Sequence, residues 1–107
     1  MARRIERGDV WLHAFDPPDK KRPVVVLSRS SVIPVMHTVL VAAVSSTVHG
    51  IPSEVVIGPE DGMKDLCAVS LDHVHTVRQN DLERRVATLS PAIMARVCAA
   101  LRIATGC

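Results

Sequence analysis

The strongest constraint on this chain is the spacing of its apolar runs. From Gly8 to Gln79 the sequence alternates β-branched-rich segments with Pro/Gly/Asp-rich punctuation, DPPDKK, HGIPS and GPEDGMKD. GDVWLHAF (Gly8 to Phe15) alternates, with Val10, Leu12 and Ala14 on one face. PVVVLS (Pro23 to Ser28) and TVLVAAVS (Thr38 to Ser45) are continuous β-branched-rich runs, as expected of central strands. SEVVIG (Ser53 to Gly58), CAVSL (Cys67 to Leu71) and a short HTVRQ (His75 to Gln79) follow. A parallel connection needs a crossover of a dozen or more residues, usually a helix, and these gaps have no room for one. The segments therefore pair mostly antiparallel and curl into a small barrel.

The last third changes period. Asn80 followed by Glu83 reads as a capping box opening one short helical turn over DLERR. Ser90-Pro91 supplies an N-cap and a first-turn proline. Met94, Val97, Leu101 and Ala104, joined by Ile93 and Ala100, then form one face of a helix that Gly106 ends. That face packs on the barrel or on a second subunit. Cys98 is expected in the core.

Composition narrows the function classes. A chain of 107 residues with 48% hydrophobic side chains makes a single domain over 1–107 with a core of its own. Trp11 and Phe15 are the whole aromatic complement, which argues against nucleic-acid binding on stacked aromatic platforms. A net charge of +2 permits an anionic partner without announcing one. Cys67, Cys98 and Cys107 cannot all pair within the chain and lack metal-type spacing, so they read as reduced thiols of a cytoplasmic protein. The basic start has no apolar signal core behind it, and the longest apolar run, Val39 to Val44, is too short to span a bilayer.

Two places can carry chemistry. In KKRPVVVLS, Pro23 fixes the backbone behind Arg22 and a rigid strand follows, so the guanidinium is held at a strand entrance where it can clamp a phosphate. The same cluster also reads as a solvated turn. In AAVSSTVHG an apolar strand ends in Ser45, Ser46 and Thr47, followed by His49; strand alternation sends Ser45 and Thr47 to one face and Ser46 to the other. These hydroxyls either donate to a phosphate or satisfy the turn's own backbone. His73 and His75 share a strand face beside Asp72 but lack a third placed ligand, and surface histidines is the simpler reading. No G-x-S-x-G elbow and no glycine-rich phosphate loop occurs.

The order of the pieces is more specific than any one of them: RGDVW, then FDP, then RPVVVLS, then an apolar strand ending in hydroxyls, then GIPSEVV, and a helix after LSP. From about Arg7 to about Ala104 this resembles the MazF/PemK family, the toxin half of type II toxin–antitoxin pairs. The resemblance implies an SH3-like antiparallel β-barrel with a C-terminal α-helix, working as a cytoplasmic homodimer. It implies cofactor-free and metal-independent cleavage of single-stranded RNA, and silencing by a MazE-like antitoxin. The family's catalytic arginine and hydroxyl match Arg22 and Ser45, with Thr47 the alternative if the hydroxyl register shifts by two. Lys20 and Lys21 become phosphate-attracting neighbours. Ser46, Thr47, His49, Trp11 and His73 become candidates for the RNA groove, Trp11 having the plain alternative of packing under the barrel rim.

The chemistry is compatible with so few groups. RNA carries its own nucleophile, the 2′-OH beside the scissile phosphate, so an enzyme needs to align it, move a proton and stabilise charge on the phosphate. The resemblance gives Arg22 the charge term and also a proton transfer to the leaving oxygen, a hard task for a group that holds its proton so tightly. Only Pro18-Asp19-Lys20-Lys21 stands where relatives often have a longer glycine-rich loop before the R-P pair, which alters how the groove is shaped. Two rivals use the same fold: a CcdB-like toxin that binds DNA gyrase and cuts nothing, and a bare antitoxin-binding module. The first puts the working surface on the C-terminal helix and leaves Arg22 dispensable.

Overall fold

The structure, a computed structural model, describes residues 4–15 and 21–107. Six strands, β1 (Asp9–Ala14), β2 (Lys21–Val26), β3 (Thr38–Ser45), β4 (Glu54–Ile57), β5 (Cys67–Arg78) and β6 (Leu82–Thr88), precede one helix, α1 (Pro91–Thr105). They form one sheet in the order β4-β5-β3-β2-β1-β6, and every ladder is antiparallel. Among the described residues no ladder joins β4 to β6, so the barrel-like sheet is open, with these two as its edges.

The continuous apolar runs of β2 and β3 are explained by cores on both faces of the sheet. On one face Val10, Val25, Ala42, Val44, Val55, Ile57, Val69 and Leu71 meet Met94, Val97 and Ala100 of α1. On the other, Trp11, Val24, Val26, Val39, Val41, Val77 and Leu82 pack together with Ile5 and Ile33. Val24, Val25 and Val26 are all fully buried, as a central strand with two covered faces requires. The apolar face of α1 thus lies on its own sheet, against β4 and β5. Its N-cap is Ser90, whose Oγ accepts the Ile93 N–H at 3.2 Å, and Gly106 ends it in the left-handed region.

β1 is buried on both sides as well, which the alternation of Val10, Leu12 and Ala14 did not anticipate: Trp11 and His13 are the buried pair further along. The buried carboxylate of Asp9 explains part of this. It accepts the Glu6 N–H at 3.0 Å, the Trp11 Nε1–H at 3.2 Å and the Thr88 hydroxyl at 3.1 Å, tying the chain entrance, β1 and β6 together.

Three expectations change. The DLERR segment is strand β6, paired with β1, and not a helical turn; only a single 3₁₀ turn, Gln79–Asp81, precedes it. Burying Leu82 in the second core outweighs the local capping signal, and Glu83 pairs with Lys21 at 2.8 Å instead of capping a helix. The expected short strands around Leu71 and His75 are one strand, β5, carrying a bulge: Ala42 and Ala43 are adjacent on β3, yet they face Val74 and Ser70. Cys98 is exposed and not in the core, because the buried stripe of α1 runs through Val97 and Ala100 and the Arg7 guanidinium reaches the Cys98 sulfur at 2.7 Å.

Candidate active site

The sheet face opposite α1 is filled by the second core at one end and left open at the other. Counting along the strands shows why. Arg22 has the parity of Val24 and Val26 on β2, and Ala43 and Ser45 that of Val39 and Val41 on β3. Phe15 and His13 follow Trp11 along β1 in the same way. Where the valines stop, polar residues begin, and a cleft of about 440 Å³ opens there. It is lined by Arg22, Ser45, His49, Glu54, His73 and His75, among others.

The β5 bulge concentrates the polar side of this cleft. In an unbroken strand Ser70 and Asp72 would share one face and His73 and His75 the other. The unpaired residues at the bulge reverse the register, and all four line the cleft. The Ser70 hydroxyl lies 2.9 Å from His73 Nδ1, and the Ser53 hydroxyl donates to the Asp72 carboxylate. The Phe15 ring stands 5.3 Å from that of His75 and 4.6 Å from that of His13. His13 pairs with Arg22 across the ladder and is itself buried.

Arg22 is exposed at the mouth of β2, and among the described residues no hydrogen bond or ion pair occupies its guanidinium. Ser45 is half-buried where β3 ends, and its Oγ accepts the Thr47 N–H at 3.1 Å. The hydroxyl therefore caps the turn while lining the cleft. A third fixed point is Glu54, at the start of β4. Its side chain is 3% exposed and takes the N–H groups of His49 and Gly50 at 2.9 and 3.0 Å and His49 Nδ1 at 2.9 Å. Those bonds, the imidazole's first, hold the Glu54 carboxyl below the usual carboxylate range against the opposing effect of burial.

The other candidates divide. His49 and His73 line the cleft. Ser46 and Thr47 are exposed beyond the end of β3 and do not line it, since the alternation that paired Thr47 with Ser45 stops with the strand. Lys21 points to the opposite face and is paired with Glu83. Lys20 lies outside the described residues. Trp11 is 5% exposed within the second core and does not reach the cleft, because its indole is consumed by packing and by Asp9. The sequence reading passed over Glu54, Phe15, Ile51 and Ser70. For Glu54 a signal existed, the carboxylate inside GIPSEVV, four and five residues after the Gly50 and His49 amides it binds.

Comparisons with known proteins agree with this architecture. The profile of the PemK-like, MazF-like toxins of type II toxin–antitoxin systems matches residues 6–105. The probable endoribonuclease MazF5 of Mycobacterium tuberculosis is 39% identical over 102 residues, 94% of this chain and 93% of that protein. The probable endoribonuclease MazF2 of the same organism is 36% identical over 104 residues, 96% of this chain and 100% of the relative. The solved toxin MazF-mt6 of Mycobacterium tuberculosis superposes with a TM-score of 0.84 at 28% identity, covering 92% of this chain and 96% of that one. With a profile spanning nearly its whole length and relatives above one-third identity, this chain belongs to the PemK-like, MazF-like family of toxins of type II toxin–antitoxin systems.

Proposed function

We propose that residues 1–107 form a single toxin domain that cleaves single-stranded RNA without a metal ion, arresting translation and growth. The observation that carries this reading is the convergence of Arg22 and Ser45 on one cleft from the ends of two neighbouring strands at the centre of the sheet. Rigid placement is what this chemistry needs, since the nucleophile comes with the substrate. Arg22 contributes a permanent positive charge and paired N–H donors to the phosphate oxygens as charge builds on them. Ser45 contributes a hydroxyl donor to the same phosphate. The 2′-oxygen attacks phosphorus, the bond to the 5′-oxygen breaks, and the products are a 2′,3′-cyclic phosphate, or its opened 3′-phosphate, and a 5′-hydroxyl. DNA, lacking the 2′-OH, is not a substrate.

The working form is a cytoplasmic homodimer held silent by a MazE-like antitoxin, whose acidic, disordered tail mimics the charge of RNA. Exposed apolar side chains at Val32, Val35, Met36 and Leu40 support a subunit interface away from α1. Among the described residues no helix is long and apolar enough to cross a membrane.

The test is cleavage of a long end-labelled RNA and a matched DNA, in excess EDTA, by the wild type and Arg22→Ala. Cuts at a short recurrent motif in RNA only, with 5′-hydroxyl ends and a rate lowered roughly 10²–10³-fold by Arg22→Ala, are expected. Intact RNA at wild-type concentrations that stop growth refutes the reading and favours a non-catalytic, CcdB-like target. Cleavage at full rate by Arg22→Ala refutes the role of Arg22.

A further inference from the structure

Three imidazoles line the cleft, and they differ in one respect that decides what each can do. The ring of His75 rests against Phe15, and the Nδ1 of His73 meets a serine hydroxyl, which can either give or accept a proton. His49 Nδ1 meets the Glu54 carboxylate at 2.9 Å. A carboxylate held ionised only accepts, so the neutral imidazole carries its proton on Nδ1 and presents the lone pair of Nε2. Glu54 is almost wholly shielded from solvent and its second oxygen grips two backbone amides, so it cannot swing away with the ring. The His49 side chain is 62% exposed and lines the same cleft as Arg22 and Ser45. Buried carboxylate, tautomer-fixed imidazole and open Nε2 is the arrangement of a general base.

We propose that His49 is a catalytic residue that takes the proton from the RNA 2′-OH, and that Glu54 is the positioning residue that fixes its tautomer and steadies the imidazolium. This rests on the ribonuclease reading and deepens it. The proton passes from the 2′-oxygen to His49 Nε2 as the bond from that oxygen to phosphorus forms. The 5′-oxygen leaves with the electron pair of the broken bond, and water returns the proton from the imidazolium to it. Arg22 is then relieved of proton transfer, for which its basicity suits it poorly, and keeps the charge term. The other charged or titratable groups facing the cleft are Arg22 from β2 and Asp72, His73 and His75 from β5.

The experiment is single-turnover cleavage of RNA against pH in metal-free buffer by the wild type, His49→Ala, Glu54→Gln and Arg22→Ala, with and without added imidazole. RNA affinity and thermal unfolding are measured for each. The wild type is expected to lose rate with unit slope as pH falls and the base is protonated. His49→Ala lowers the neutral-pH rate roughly 10²–10⁴-fold, abolishes that limb, and regains rate with free imidazole. Glu54→Gln lowers the plateau with RNA affinity unchanged, since the imidazole loses the partner that fixes its tautomer. A His49→Ala protein that cleaves at the wild-type rate overturns the proposal, as does one that is slow but keeps the limb and ignores imidazole, or whose loss lies in RNA affinity alone. In those three outcomes, dependence on Arg22 leaves the ribonuclease reading standing. No cleavage by the wild type removes both.

Discussion

Truncating Leu82 to alanine tests the fold where local sequence and structure disagree. Leu82 opens β6, is 1% exposed, and packs among Trp11, Val24, Val26, Val39, Val41 and Val77. Removing its isobutyl group forfeits the transfer free energy and leaves a cavity, about 2–5 kcal/mol in total for a buried leucine. The low end of that range does not apply, because the surrounding valines are β-branched, stiff at χ1, and anchored on other strands, so the gap closes poorly. A loss of about 3–4 kcal/mol lowers the melting temperature of a domain this size by roughly 15–25 °C. Urea unfolding followed by far-UV circular dichroism reads the loss directly, with the exposed neighbour Arg84→Ala expected within about 0.5 kcal/mol of wild type. A Leu82→Ala cost no larger than that of Arg84→Ala would refute the burial argument and return DLERR to a solvent-facing helical turn.

Glu54→Gln also alters stability with pH. The wild-type carboxyl titrates below its unfolded value, so its contribution is present above the ordinary carboxylate range and fades as pH falls through the lowered value. The gap in urea midpoint between wild type and variant should therefore shrink on acidification, and a gap that widens contradicts the sign. Burial, then Asp61 and Asp65, pushes the Cys67 thiol up, whereas Cys98 and Cys107 are exposed. Ellman's reagent at neutral pH should show two fast thiols and one that reacts only on unfolding. Gly62→Ala places a Cβ 3.1 Å from that of Ala87 at a φ of +92°, and should cost about 1–3 kcal/mol in chemical denaturation.

The strands and α1 were legible because their signals are local: β-branched runs, the Ser90-Pro91 start and the Gly106 stop. β6 was not, because Asn80 and Glu83 satisfy a capping pattern on their own, and only the partners brought from elsewhere in the chain, Lys21 and the second core, reverse it. The bulge in β5 was equally hidden. An interruption of alternation at Asp72 reads as the end of a strand when it is a change of register within one. In the site, Arg22 and Ser45 could be found because each terminates a recognisable strand. Thr47 falls outside the cleft because the alternation of β3 stops at Ser45, and of the two readings of Trp11 the packed one holds. Phe15, Glu54 and Ser70 come from three further strands or their ends, and no spacing rule connects them.

Arg22 and Ser45 are rooted in β2 and β3, which lie at the centre of the sheet with cover on both sides, whereas His49 sits on a loop tied down chiefly by one carboxylate. Amide hydrogen exchange should separate them into two classes. Val24, Val25 and Val41 open only with the whole molecule, while the amides of His49 and Gly50 exchange through local fluctuation that leaves the sheet intact. On the proposed reading, the toxin carries a phosphate clamp with the lifetime of its fold beside a more quickly renewed proton acceptor. An inhibitor that displaces the loop could suspend cleavage without unfolding anything, and its release would restore activity on the timescale of a loop.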